Sequence, residues 1–171
     1  MTAPDALVAF CQREHPRLVG TLSLYCGDGA LAEELAQEAL YRVCRDWPKV
    51  SQLSAPGAWA HRVAINLANS IHRRRRAEQR ANRAHQTAHV AQASVHDLGS
   101  AVAVRQAVAS LPARQRAVIV LRHFAGYSVA ETAELLGISE GAVKQLSHRA
   151  AGTLRQTLPE DERLPGASDV W

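Results

Sequence analysis

With 171 residues, 47% of them apolar and only 5% aromatic, the chain can bury the core of one ordinary domain or two small helical ones. Runs of alternating β-branched residues are absent, which favours an all-α fold. No apolar stretch approaches the roughly 20 residues of a membrane span, and Met1 to Cys11 lacks the marks of a signal peptide, so a cytoplasmic protein is expected; the formal charge of +4 is modest, and its distribution says more than its size.

In chain order, a first helix is predicted from Ala6 to about Cys26. It carries Leu7, Phe10, Cys11, Leu18, Leu22 and Tyr25 at helical spacing, with Pro16 bending or dividing it. Asp28 is a good N-cap for a second helix from Gly29 to about Asp46. Leu31, Leu35, Ala39 and Val43 form its apolar row, flanked by Ala32, Ala36 and Leu40, and Glu34, Gln37, Glu38, Tyr41 and Arg45 form the opposite stripe. From Asp28 to Asp46 acids outnumber bases. Trp47 and Pro48 are expected to stop the helix, leaving Pro48 to Gly57 as a loop.

A third helix runs from about Pro56 through Trp59, Val63, Ile65, Leu67 and Ile71 into Arg73, Arg74, Arg75 and Arg76, with Arg80 and Arg83 beyond. An acidic stripe followed by a basic cluster points to two different partners. The stretch 84–100, rich in Gln, His, Ala and Ser, reads as a flexible linker, and 159–171 reads as a disordered tail. Two small helical domains follow, at 5–83 and 101–158.

The second domain opens with a short helix from about Ala101 to Ser110. Another begins at Pro112, where a first helical turn tolerates proline, and is ended by Gly126. Ser128-Val129-Ala130-Glu131 is a capping box opening a helix whose apolar face is Val129, Ala133 and Leu136. Gly137 closes it, Ile138 plugs the space between helices, and Ser139 caps the next. There Val143, Leu146, Ala150 and Leu154 point inward, leaving Glu140, Lys144, Gln145, His148 and Arg149 outside. Two helices joined by a short Gly turn, the second with a basic outer face, match a major-groove reader. Lys144 and Arg149 suit phosphates or guanine, and Gln145 suits adenine edges.

Eight histidines raise the alternative of a metal-dependent hydrolase. No His-Glu-x-x-His motif occurs, and His61 and His72 are too far apart along a helix to share an ion. Cys11, Cys26 and Cys44 are distant in sequence and read as reduced, partly buried residues. Neither a metal nor a cofactor is expected.

Leu111-Pro112-Ala113-Arg114-Gln115-Arg116-Ala117-Val118, followed by Tyr127 to Leu154, resembles region 4 of bacterial sigma-70 factors, closest to the small extracytoplasmic-function (ECF) group. Ala32 to Ala39 resembles region 2.2 of that family. Trp59 to Ala68 with Arg73 to Arg76 resembles regions 2.3 and 2.4. The resemblance implies a non-enzymatic factor that binds core RNA polymerase, through the β′ coiled coil and the β flap, and directs promoter recognition. It assigns polymerase docking to Glu34, Leu35, Gln37, Glu38, Tyr41 and Arg42. Minus-10 recognition and melting fall to Val50, Trp59, Arg62, Asn66 and Arg73, Arg74, Arg75 and Arg76. Minus-35 readout falls to Ser139, Glu140, Lys144, Gln145, His148 and Arg149.

An anti-sigma factor is the expected regulatory partner. Two departures stand out: Leu31 where many relatives carry Asp, and Gln145-Leu146-Ser147 where Ser-Arg-Leu is common. The competing reading is a LuxR-type DNA-binding regulator acting without polymerase.

Overall fold

The computed structural model describes residues 3–83 and 100–157. The expected tail and nearly all of the expected linker therefore lie outside the described residues. Within them the fold is all-α: α1 (Ala3–Cys26), α2 (Gly29–Val50), α3 (Pro56–Arg83), α4 (Ser100–Ser110), α5 (Ala113–Ile119), α6 (Val129–Leu136) and α7 (Glu140–Thr157). A single π-helical turn, Val120–Phe124, continues α5, with Ala125 N donating to Val120 O at 3.0 Å.

Helices α1 and α2 form a hairpin whose corner is fixed by Asp28. Its extended backbone places the carboxylate to accept from Leu31 N at 3.1 Å, which satisfies one of the orphan donors of the first turn. The expected apolar row of α2 is buried throughout.

Two proline signals are overridden. Pro16 does not divide α1, because it lies on the exposed face, where water can satisfy the carbonyl that its missing N–H leaves free. Pro48 does not stop α2, which runs on to Val50. The cause is tertiary: Val50 is only 2% exposed, and Trp47 packs tilted against Phe10 of α1, ring centroids 5.2 Å apart. Burial of two large apolar groups is worth several kcal/mol, more than the one backbone bond that proline removes in a last turn.

The two halves also pack against each other. Leu18, Leu22, Val43 and Ile65 of the first half share one continuous core with Val108, Leu111, Ile119, Leu121 and Leu154 of the second. Helix α4 and the π turn pack on α1, and α6 packs on α3. Amphipathic spacing says which face of a helix is apolar but not what covers it. The contact between the halves is therefore not legible in the spacing of either one.

Candidate functional site

On α2, the side chains of Glu34, Leu35, Gln37, Glu38, Tyr41 and Arg42 line one shallow depression, completed by Leu67 and Ile71 of α3 and about 540 Å³ in volume. Helical spacing puts these six residues side by side across just over two turns. Leu35 forms the floor at 3% exposure, whereas Tyr41 stands out at 64%. Arg42 Nε donates to Glu38 Oε1 at 2.8 Å, and Gln37 Nε2 donates to Glu33 Oε1 at 3.2 Å. Arg45 pairs with Asp46 at 2.8 Å and stays outside the depression. An exposed aromatic beside paired charges of both signs suits docking on a protein of mixed charge.

In the second half, Glu131 N donates to Ser128 Oγ at 3.2 Å and Ser128 N donates to Glu131 Oε2 at 2.8 Å, completing the capping box. Those bonds hold the Glu131 carboxyl below its ordinary range. Gly137 takes φ +64°, the left-handed turn between α6 and α7, and Ala142 N donates to Ser139 Oγ at 3.2 Å to open α7. Val118, Ala133 and Val143 form a small buried cluster under this turn, with Ile138 and Leu146 packed against it. Ser139, Glu140, Lys144, Gln145, His148 and Arg149 are all exposed on one side of the module. A rigid helix carrying Lys, Arg, Gln and His on its free face can enter a major groove and bond both phosphates and base edges.

On α3, Arg62, Asn66, Arg73, Arg74, Arg75 and Arg76 are exposed, and Trp59 is half-buried against the core. Val50 does not join them. Its side chain is committed to the core at the end of α2, so the expectation that it faces a DNA strand is corrected. Asn66, Arg73 and Arg76 instead form one wall of a cleft of about 520 Å³ whose opposite wall is Arg114, Leu136, Gly137, Ile138 and Leu146. The expected strand-binding side of the first half therefore faces the helix-turn-helix corner across open space.

Sequence reasoning missed the polar contacts that join the halves. Arg116 of α5 donates to Tyr25 O at 2.8 Å, Ala109 O at 2.7 Å and Leu111 O at 3.0 Å. The hydroxyl of Tyr25 donates to Asn69 Oδ1. His61, fully buried, lies 3.3 Å from Thr21 Oγ1 through Nε2, while its Nδ1 is 3.1 Å from both Gly57 O and Tyr127 Oη. Burial pushes the imidazole below its ordinary value and the Tyr127 phenol up to about 12. Glu14 is likewise buried, accepting from Arg13 Nε at 3.0 Å and packing against Gly57 at the start of α3. A sequence offers one weak sign of such residues, a polar side chain on an otherwise apolar helix face. Among the described residues no three His, Cys, Asp or Glu gather to hold a metal, and no helix is long and apolar enough to cross a membrane.

Residues 10–78 match the family model for sigma-70 region 2, and residues 101–154 match that for sigma-70 region 4. The chain is 32% identical over 163 residues to the ECF RNA polymerase sigma factor SigL of Mycobacterium tuberculosis, covering 92% of each chain. It is 35% identical over 161 residues to the RNA polymerase sigma-E factor of Streptomyces avermitilis, covering 92% of this chain and 81% of that one. The fold is similar to that of the sigma factor RpoE of Bartonella quintana, solved in complex with the anti-sigma factor NepR. The TM-score is 0.71 at 25% identity, over 88% of this chain and 94% of that one. Nothing among these supports the LuxR-type alternative. An exposed mixed-charge face on α2, a basic α3 and a helix-turn-helix with a free basic face lie where regions 2 and 4 match in order, and those matches place this chain in the sigma-70 family as an ECF RNA polymerase sigma factor, a non-enzymatic initiation factor that directs transcription.

Proposed function

We propose that residues 5–83 dock on core polymerase and open the minus-10 element, while residues 101–158 read the minus-35 element as duplex. Docking runs through Glu34, Leu35, Gln37, Glu38, Tyr41 and Arg42 onto the β′ coiled coil, with the β flap holding the second module. The observation that carries this reading is their convergence on one depression beside α3. Lys144 and Arg149 neutralise phosphates, and Gln145 and His148 meet base edges, with Ser139 and Glu140 at the helix start.

In the first module, Asn66 contacts the displaced strand, Trp59 supports it from the core side, and Arg62 and Arg73, Arg74, Arg75 and Arg76 hold its phosphates. Capturing an unstacked base offsets the few kcal/mol that local melting costs. The factor works in the cytoplasm beside its polymerase. An anti-sigma factor holds it inactive, a partner of the same kind as the NepR bound to the Bartonella relative.

Run-off transcription with added core enzyme on a promoter library tests the reading. Lys144→Ala with Arg149→Ala is expected to lower promoter-specific initiation and to leave core binding unchanged. Absence of any stimulation by the unaltered protein would sink it.

A further inference from the structure

Cys11 on α1 and Cys44 on α2 are 33 residues apart in sequence, yet their sulfurs stand 3.9 Å from each other across the outer seam of the hairpin. The seam is held on both sides of them. Phe10 meets Trp47 at 5.2 Å next to the pair, and one turn further along α1 His15 Nε2 lies 2.9 Å from Glu33 Oε1. The two thiols are therefore neighbours by construction of the hairpin. Cys44 is exposed and Cys11 half-buried. The third thiol, Cys26, lies 15 residues further along α1, on the order of 22 Å away, and cannot compete.

We propose that Cys11 and Cys44 are an oxidisable dithiol, which a peroxide converts into a reversible disulfide tying α1 to the docking helix. The exposed sulfur reacts first. The Cys44 thiolate attacks the O–O bond of hydrogen peroxide, gives a sulfenic acid and releases hydroxide. The sulfur of Cys11 then loses its proton and attacks the Cys44 sulfur. The new S–S bond forms as the S–O bond breaks, and the oxygen leaves as water. In sum, two thiols and one hydrogen peroxide give one disulfide and two waters.

A disulfide requires about 2.05 Å between sulfurs, so the gap closes by roughly 1.9 Å, a movement that rotation of the two side chains can supply. Burial and the neighbouring Cys44 push the Cys11 thiol up to about 11, so it stays protonated near neutral pH and does not compete with Cys44 for the peroxide. A dithiol reductant reverses the bond by exchange. Cys44 lies one turn from Tyr41 at the α1 edge of the docking depression but does not line it. The crosslink therefore stiffens the hairpin without removing a docking side chain.

The test treats reduced full-length protein, at low concentration, with a small excess of hydrogen peroxide, followed by thiol alkylation and tryptic mapping. The expected product is a monomer, two hydrogens lighter, with the peptide ending at Arg13 joined to Val43–Arg45. Dithiothreitol should reverse it, Cys44→Ser and Cys11→Ser should abolish it, and Cys26→Ser should leave it intact. Its melting temperature should rise by on the order of 10 °C over the reduced form. Overoxidation of Cys44 to a sulfinic acid with Cys11 still alkylatable, or a dimer bridged through Cys44, would overturn the proposal.

Discussion

Tyr127, the residue just before the helix-turn-helix, meets His61 of α3 edge-on, with ring centroids 5.3 Å apart and its hydroxyl 3.1 Å from Nδ1. This contact joins the two halves at a buried titratable group, so acid should act on the joint. Burial lowers the folded-state value of His61 below its ordinary 6.5, and burial likewise lowers His72 and His123. A depressed value means that the unfolded chain binds more protons in the window between the two values. The stabilisation is therefore complete above pH 6.5 and is lost as the pH falls through the folded-state value. Thermal melts between pH 7.5 and pH 5 should show this decline, and His61→Gln should flatten part of it. A decline equally steep in the variant would show that His61 has no share.

Arg116 should matter more to stability than any other cation described. Its guanidinium satisfies three carbonyls that end helices or loops, and it lies 5.8 Å from the centre of the Tyr25 ring. Arg116→Ala leaves those part-buried acceptors without their donor. A loss of about 2–3 kcal/mol in chemical denaturation is expected. Arg116→Lys should recover only part of it, because an ammonium cannot reproduce the planar fork.

The corner between α6 and α7 can be probed apart from its DNA contacts. Ser128→Ala removes the capping box and should cost about 1 kcal/mol. Gly137→Ala meets no atom within 4 Å but forces a side chain into φ +64°, for a loss of about 1–2 kcal/mol. Both are measured by thermal denaturation, and neither should change base preference at the minus-35 element.

Charge and base readout on α7 should separate by salt. Lys144→Ala should reduce the slope of log affinity against log salt by about 1. Gln145→Ala should leave that slope unchanged and relax discrimination at one base pair by about 1–3 kcal/mol. Fluorescence anisotropy with promoter duplexes over a salt series reads both.

Tyr41 and Leu35 distinguish docking from folding on α2. Tyr41→Ala should weaken polymerase binding at least tenfold, as truncation of an interface anchor does, with the melting temperature unchanged, because the side chain is 64% exposed. Leu35→Ala should lower both, since its side chain is core and depression floor at once. Pull-down with core enzyme alongside melting curves decides the matter.

Local chemistry is legible in the sequence. The Asp28 cap, the Ser128–Glu131 box and the Gly137 turn each depend on residues within four positions, and each is found where the residues predict it. The six docking candidates can be grouped because helical spacing alone brings them together. What escapes is non-local. Pro48 reads as a stop unless Val50 has a core to enter, and Val50 reads as loop until that core exists. Arg116, His61 and Tyr127 look like surface residues because the partners that bury them lie 66 to 91 positions away.

The shared core also governs how tightly this factor can bind anything that needs its halves apart. Minus-10 and minus-35 elements are separated by roughly 25 base pairs, on the order of 85 Å of duplex. Asn66 and Gly137, by contrast, face each other across one cleft. On the proposed division of labour, engaging both elements requires the halves apart, so the affinity for promoter complexes is the intrinsic one reduced by the fraction in which they are apart. Each 1.4 kcal/mol stored between α3 and α6 or between Arg116 and Tyr25 lowers it about tenfold. Substitutions at this seam should therefore act with opposite signs, making the free protein easier to melt and the initiating complex easier to form.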